Sequence, residues 1–244
     1  MSMSNSTIED SVEQFLGFFS DKLGSISETD FKESNCLFKK ILYVGILDAL
    51  SKTTTSPSKW SQNRDRIVSF IKYFTDWKHQ ERVSLPHLVR FLSKVPDPEF
   101  SKLRQYSYSL LDQWSPGNML NLDNDPCLSD LKKHWPHSTP KPLEDITLEH
   151  LQHSNLFYKY RNSLVHELRE PGYGMEFKQD TQPFYHSMSQ LDGDEKTWEL
   201  VYPLGFYEQL CTTAINKLRD YYIKERIDPY TLYKFGSYWI EELN

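Results

Sequence analysis

HSNLFYKYRNSLVHEL, His153 to Leu168, is the stretch on which the reading of this chain turns. At the 100° advance of an α-helix, Leu156, Phe157, Tyr160, Leu164, Val165 and Leu168 gather into one apolar stripe, while Arg161, Asn162 and His166 fall on the polar side. The spacing predicts a core helix over about 147 to 169, stopped by Glu170-Pro171-Gly172. Asn162 and His166 stand one turn apart on the same face, where the amide can align the imidazole. Arg161 is about 140° from His166 around such a helix, so the two meet more easily across a contact between chains than within one.

Working outward, helical periodicity recurs on both sides. Val12, Phe15, Leu16, Phe19 and Leu23 predict an opening helix that Gly24 helps to end. A second helix is expected from near Glu28 to about Leu50, apolar around much of its circumference and therefore central. Asn63 reads as the cap of a helix carrying Ile67, Phe70, Ile71 and Phe74. Ser84 reads as the cap of another, with Pro86 in its first turn and Pro96 and Pro98 closing it. A helix from about Phe100 to Trp114 precedes a long loop through Pro142.

After the motif helix the pattern changes. Pro183 to Ser189 and Thr197 to Tyr202 are aromatic and β-branched, with Gly193 between them, which predicts an antiparallel hairpin; Met175 to Lys178 is a candidate extra strand. A last long helix follows over about Gly205 to Lys224, and the tail from Asp228 is aromatic enough to pack. The expected fold is mostly α, a helical bundle with a small β-hairpin insertion before the last long helix. It forms one domain over 1–244, with a loop at about 115–142 and the insertion at about 174–203.

Composition narrows the function classes. With 38% hydrophobic and 14% aromatic residues among 244, the chain has ample material for a core. A net charge of −6 argues against a protein that coats nucleic acid through massed Lys and Arg. Cys36, Cys127 and Cys211 lie far apart without a CxxC pair, which suggests neither a disulfide framework nor a structural zinc. Met1 to Asp10 lacks the basic start and apolar run of a leader, and no stretch is apolar enough to span a membrane, so the expected compartment is the cytoplasm.

Arg161-Asn162-Ser163-Leu164-Val165-His166 resembles the R-x(4–6)-H motif of the HEPN superfamily, in the form with a polar Asn directly after the Arg. The apolar residues before Arg161, Leu-Val before His166, Glu167 after it and the Pro-Gly break agree with that resemblance. It is detailed over about residues 150 to 170 and architectural elsewhere. It implies a helical bundle that dimerises to bring two motifs into one cleft. It further implies a metal-independent endoribonuclease, without cofactor, of toxin–antitoxin or phage-defence systems, with an antitoxin or defence-complex subunit as partner. By the same resemblance His166 would be the acid/base residue, Arg161 the stabiliser of phosphate charge and Asn162 the orienting residue. The residue types suit such chemistry. Cutting RNA without a metal needs a base for the 2′-OH, an acid for the 5′-oxygen and a cation for the phosphorane, leaving a 2′,3′-cyclic phosphate. Imidazole titrates near neutrality and guanidinium matches phosphate oxygens. The family also contains members that have lost catalysis, so the alternative is a non-catalytic module binding RNA, nucleotide or a protein partner.

Residue types alone would equally allow a surface Arg and a partly buried His near a helix end. Other candidates are weaker. Trp77 to Arg82 gathers an aromatic, a His and cations that could line an RNA groove, and Lys132-Lys133-His134-Trp135 could touch phosphates, but both also read as solvated helix ends or loops. His150 and His153 sit three apart with no carboxylate or Cys at matching helical spacing to complete a metal site.

Overall fold

The computed structural model describes residues 7–54, 62–137, 146–177, 179–189 and 196–233. The hairpin turn at Gly193, the loop prolines Pro140 and Pro142 and the tail from residue 234 lie outside them. The chain is organised as two compact units, one of Met1–Asp76 with Tyr207–Asn244, the other Trp77–Phe206.

The first unit is built from α1 (Ile8–Glu28), α2 (Asn35–Ser51), α3 (Asn63–Phe74) and, from Tyr207 onward, α8 (Leu204–Glu225). Thr7 starts α1 with a reciprocal capping box: its hydroxyl accepts from Asp10 N and the Asp10 carboxylate accepts from Thr7 N, each at 3.1 Å. Gly24 does not end α1, because a helix tolerates a single glycine when the flanking turns keep their contacts; the helix runs on to Glu28 and buries Ile26. Asn63 is the first helical residue of α3, with Gln62 in the cap position. The apolar faces meet in a core of Phe15, Leu16, Leu47, Ile71, Leu210 and Leu218, all buried. Tyr230 and Tyr233 of the tail set their rings edge-on against Phe15 at 5.7 and 5.6 Å.

The second unit holds α4 (Leu85–Ser93), α5 (Ser101–Leu111), α6 (Leu128–Lys132), α7 (His153–Asn162) and a three-stranded antiparallel sheet. The sheet order is β1 (Leu120–Asn121), β2 (Phe184–Ser189), β3 (Lys196–Val201), with Tyr185 opposite Leu200 and His186 opposite Glu199. The expected hairpin is present. Its third strand comes from Leu120–Asn121 in the long loop, whereas Met175 to Phe177 lies outside any strand because its amides bond to side chains instead of a ladder. One core gathers Leu88, Leu92, Phe100, Leu103, Leu131 and Leu148.

Backbone lacing fixes where α7 starts. The segment 80–85 runs between 126 and 151–154, with Val83 N donating to Pro126 O and Ser84 N to Leu151 O. The first amides of α7, those of His153 and Ser154, donate to the carbonyls of Arg82 and Gln80 at 3.0 and 2.9 Å. A helix begins with amides that lack partners within it; here main-chain carbonyls supply them, which ties the helix entry to a strand-like segment. No helix among the described residues is long and apolar enough to cross a membrane.

Candidate functional site

From its laced entry, α7 turns Phe157, Tyr160 and Leu164 into the core of the second unit. Phe157 and Tyr160 meet Tyr202 edge-on at 5.5 and 5.1 Å, and Trp77 meets Phe157 at 6.1 Å. The regular α-helix then stops at Asn162, and Ser163–Glu167 forms a π turn, so the motif is not one continuous α-helix. The amide of Leu168 closes on Ser163 O, five residues back, and Leu168 itself adopts φ +53°. A π turn places more residues per turn than an α-helix, so it shifts every later residue around the axis. Leu168, expected on the buried stripe, is rotated into solvent and is 61% exposed.

The same turn changes how the three motif residues stand. Closure over five residues takes up part of the 140° that a regular helix would place between Arg161 and His166. Arg161 is half-buried, and its Nη1 donates to Asn162 Oδ1 at 3.0 Å. Asn162 therefore orients the guanidinium, not the imidazole as the helical spacing suggested. Burial lowers the Arg161 pKa from its ordinary value, which nonetheless leaves guanidinium charged in water. His166 is exposed and makes no hydrogen bond, ion pair or ring contact among the described residues. Glu167 is engaged by Arg169, and Tyr160 donates its hydroxyl proton to Glu170 and packs in the core. The motif thus offers an exposed imidazole and, five residues before it, a half-buried guanidinium bonded to Asn162.

A second polar constellation, invisible to local periodicity, lies buried in the same unit. His153 Nε2 is 2.6 Å from Asp125 Oδ2, and the Tyr185 hydroxyl lies 2.9 Å from that oxygen and 2.7 Å from Ser84 Oγ. Ser84 Oγ in turn is 2.8 Å from His87 Nδ1. Ser84 holds the N-cap position of α4, but its hydroxyl makes no cap bond: Asp125 Oδ1 accepts from Leu85 N at 2.8 Å, and the serine hydroxyl engages His87 and Tyr185. Burial, then the neighbouring His153, pushes His87 down to about 4, while burial raises the Tyr185 phenol well above its usual range. The network is a polar keystone joining α4, α7, β2 and the loop at Asp125.

The remaining candidates resolve into local pairs. Lys78 and His79 both reach Asp123 Oδ1 at 2.9 Å, and Arg82 donates to Asp123 O at 3.2 Å, which ties the loop at 121–125 to the segment 78–82. Those two side chains lower the Asp123 pKa to about 2 through hydrogen bonds. Lys132 pairs with Glu149 and Lys133 with Asp130, each at 2.7 Å, so both cations are partly neutralised where a phosphate would need them. His150 Nδ1 accepts from Thr147 N, and His153 is taken by Asp125, so the two imidazoles do not converge. Among the described residues no group of three or more His, Cys, Asp or Glu is placed to hold a metal ion. Comparison with known proteins finds no matching family model, no matching curated protein and no matching solved structure.

Proposed function

We propose that the chain is a metal-independent endoribonuclease of the HEPN type that attacks with the RNA 2′-OH and leaves a 2′,3′-cyclic phosphate. The observation that carries this reading is that an exposed His166 and an Asn162-bonded Arg161 flank a π turn, a distortion frequent at functional sites. In this scheme His166 moves the protons, Arg161 stabilises charge on the phosphorane, and Asn162 fixes the guanidinium plane so that little is lost in ordering it at the transition state. A homodimer would let one chain's imidazole face the other's guanidinium. The setting we favour is a toxin–antitoxin or phage-defence system in the cytoplasm, with a protein that restrains the nuclease. Comparing an RNA oligonucleotide with its fully 2′-deoxy counterpart tests the chemistry: only the first should be cut.

A non-catalytic module for RNA, nucleotide or a protein partner is the second reading, favoured by one observation. Among the described residues no side chain bonds to His166, and Asn162 bonds to Arg161 instead.

A further inference from the structure

The segment that leaves the motif, Gly172 to Phe177, runs against β2 and β3, with Gly172 and Gly174 approaching Glu199, Val201 and His186. A Cβ on Gly174 would come to 2.5 Å from Val201 Cγ2, and Gly172 sits at φ +82°, a conformation that favours glycine, so both positions suit glycine. Two amides hold it to the sheet and a third closes a local turn beyond it. Tyr173 N donates to Glu199 Oε2 at 3.2 Å, Met175 N to His186 Nε2 at 2.9 Å, and Phe177 N to Asp180 Oδ2 at 3.1 Å. The alternation that turns the glycines in turns Tyr173, Met175 and Phe177 out, 74%, 59% and 53% exposed. A loop that simply avoided structure would not be clamped at alternate residues so as to keep three large apolar side chains in water.

We propose that this ridge is a docking site for a short protein segment carrying apolar side chains among basic ones. Three such side chains at these exposures present on the order of 350 Å² of apolar-rich surface, within the range of functional patches on monomers. A stable pair of folded chains needs roughly 800 Å² from each partner, so the ridge suits a linear segment better than a second copy. Charge selects the occupant's sign. In sequence the stretch 167–180 carries Glu167, Glu170, Glu176 and Asp180 against Arg169 and Lys178; Glu167 and Arg169 pair with each other, which leaves Glu170, Glu176 and Asp180 against Lys178. Glu199 adds another carboxylate where it grips Tyr173. Exposed aromatic rings could stack on bases, but this carboxylate surround repels phosphate, and two such ridges brought together would oppose like charges. The docking site does not depend on the ribonuclease reading.

Fluorescence anisotropy of the full chain with a labelled short peptide alternating lysine and leucine tests the proposal. Saturable binding is expected, weakened at least about tenfold by the combined Tyr173→Ser, Met175→Ser and Phe177→Ser changes, as lost apolar contact implies. Those side chains point outward, so circular dichroism and Tm should stay as in the wild type. Asp180→Asn keeps the acceptor for Phe177 N but removes a charge, and should weaken binding severalfold on its own. The proposal is overturned if the peptide does not bind, if the triple variant binds it equally, or if a glutamate–leucine peptide binds as well. It is equally overturned if the triple variant loses binding to an RNA oligonucleotide or loses a dimer seen by sedimentation, since the ridge would then serve RNA or a second copy.

Discussion

The imidazole of His153 and the carboxylate of Asp125 face one another at 2.6 Å with both side chains fully buried, although 28 residues separate them in sequence. Asp125 also receives the amide of Leu85 and the hydroxyl of Tyr185, so one carboxylate satisfies donors from α4, α7 and β2. Removing it leaves buried donors without an acceptor. Asp125→Ala should therefore lower unfolding free energy by about 3–5 kcal/mol, the usual cost of stranding a buried partner, measured by urea denaturation. A loss below about 1 kcal/mol would mean that the network is solvated.

His87 gives the stability a pH dependence of definite sign. Its folded pKa, pushed down to about 4, lies below its ordinary value near 6.5, so the unfolded chain binds the extra proton between those limits. The contribution is complete above about pH 6.5 and fades as pH falls toward about 4. Unfolding curves of wild type and His87→Gln across this window should converge as the pH drops; a constant separation would contradict the assignment.

Leu168 sits at φ +53° with its side chain in water, a conformation that costs a branched L-residue about 1 kcal/mol and that glycine adopts freely. Leu168→Gly should leave Tm unchanged or raise it by a few degrees, since relieved strain outweighs the added freedom of the unfolded chain. A marked fall in Tm would mean that Leu168 is buried in solution, against a partner or a second copy.

Gly174→Ala should disturb the segment on the sheet without unfolding the unit. The new methyl would meet Val201 Cγ2 at 2.5 Å, and the amides of Tyr173 and Met175 should then exchange hydrogen faster while those of α7 keep their protection. Unchanged exchange at Tyr173 and Met175 would show that the segment is not held as described.

Local periodicity was enough to find α1, α8 and both long strands, because each buries a face that repeats every 3.6 or every 2 residues. It could not find β1, which is only Leu120–Asn121 and exists through pairing with Phe184 and Tyr185. The motif residues were legible as residue types, but their arrangement was not. No local signal announces a π turn, which sent Leu168 outward, nor the bond of Asn162 to its chain neighbour Arg161 instead of His166. Asp125 before Pro126 looks like an ordinary turn residue, and His153 like a helix start; their pairing is a product of the tertiary lacing of segment 80–85.

The central claim is tested most directly by incubating wild-type protein and His166→Ala, each free of any partner, with mixed RNA in EDTA and analysing the product ends. The account predicts cleavage by the wild type with 2′,3′-cyclic phosphate ends and a loss of about 10²–10⁴-fold in the variant, the usual worth of a general acid–base group. Absence of wild-type cleavage across varied RNAs, or equal cleavage by both proteins, would contradict it.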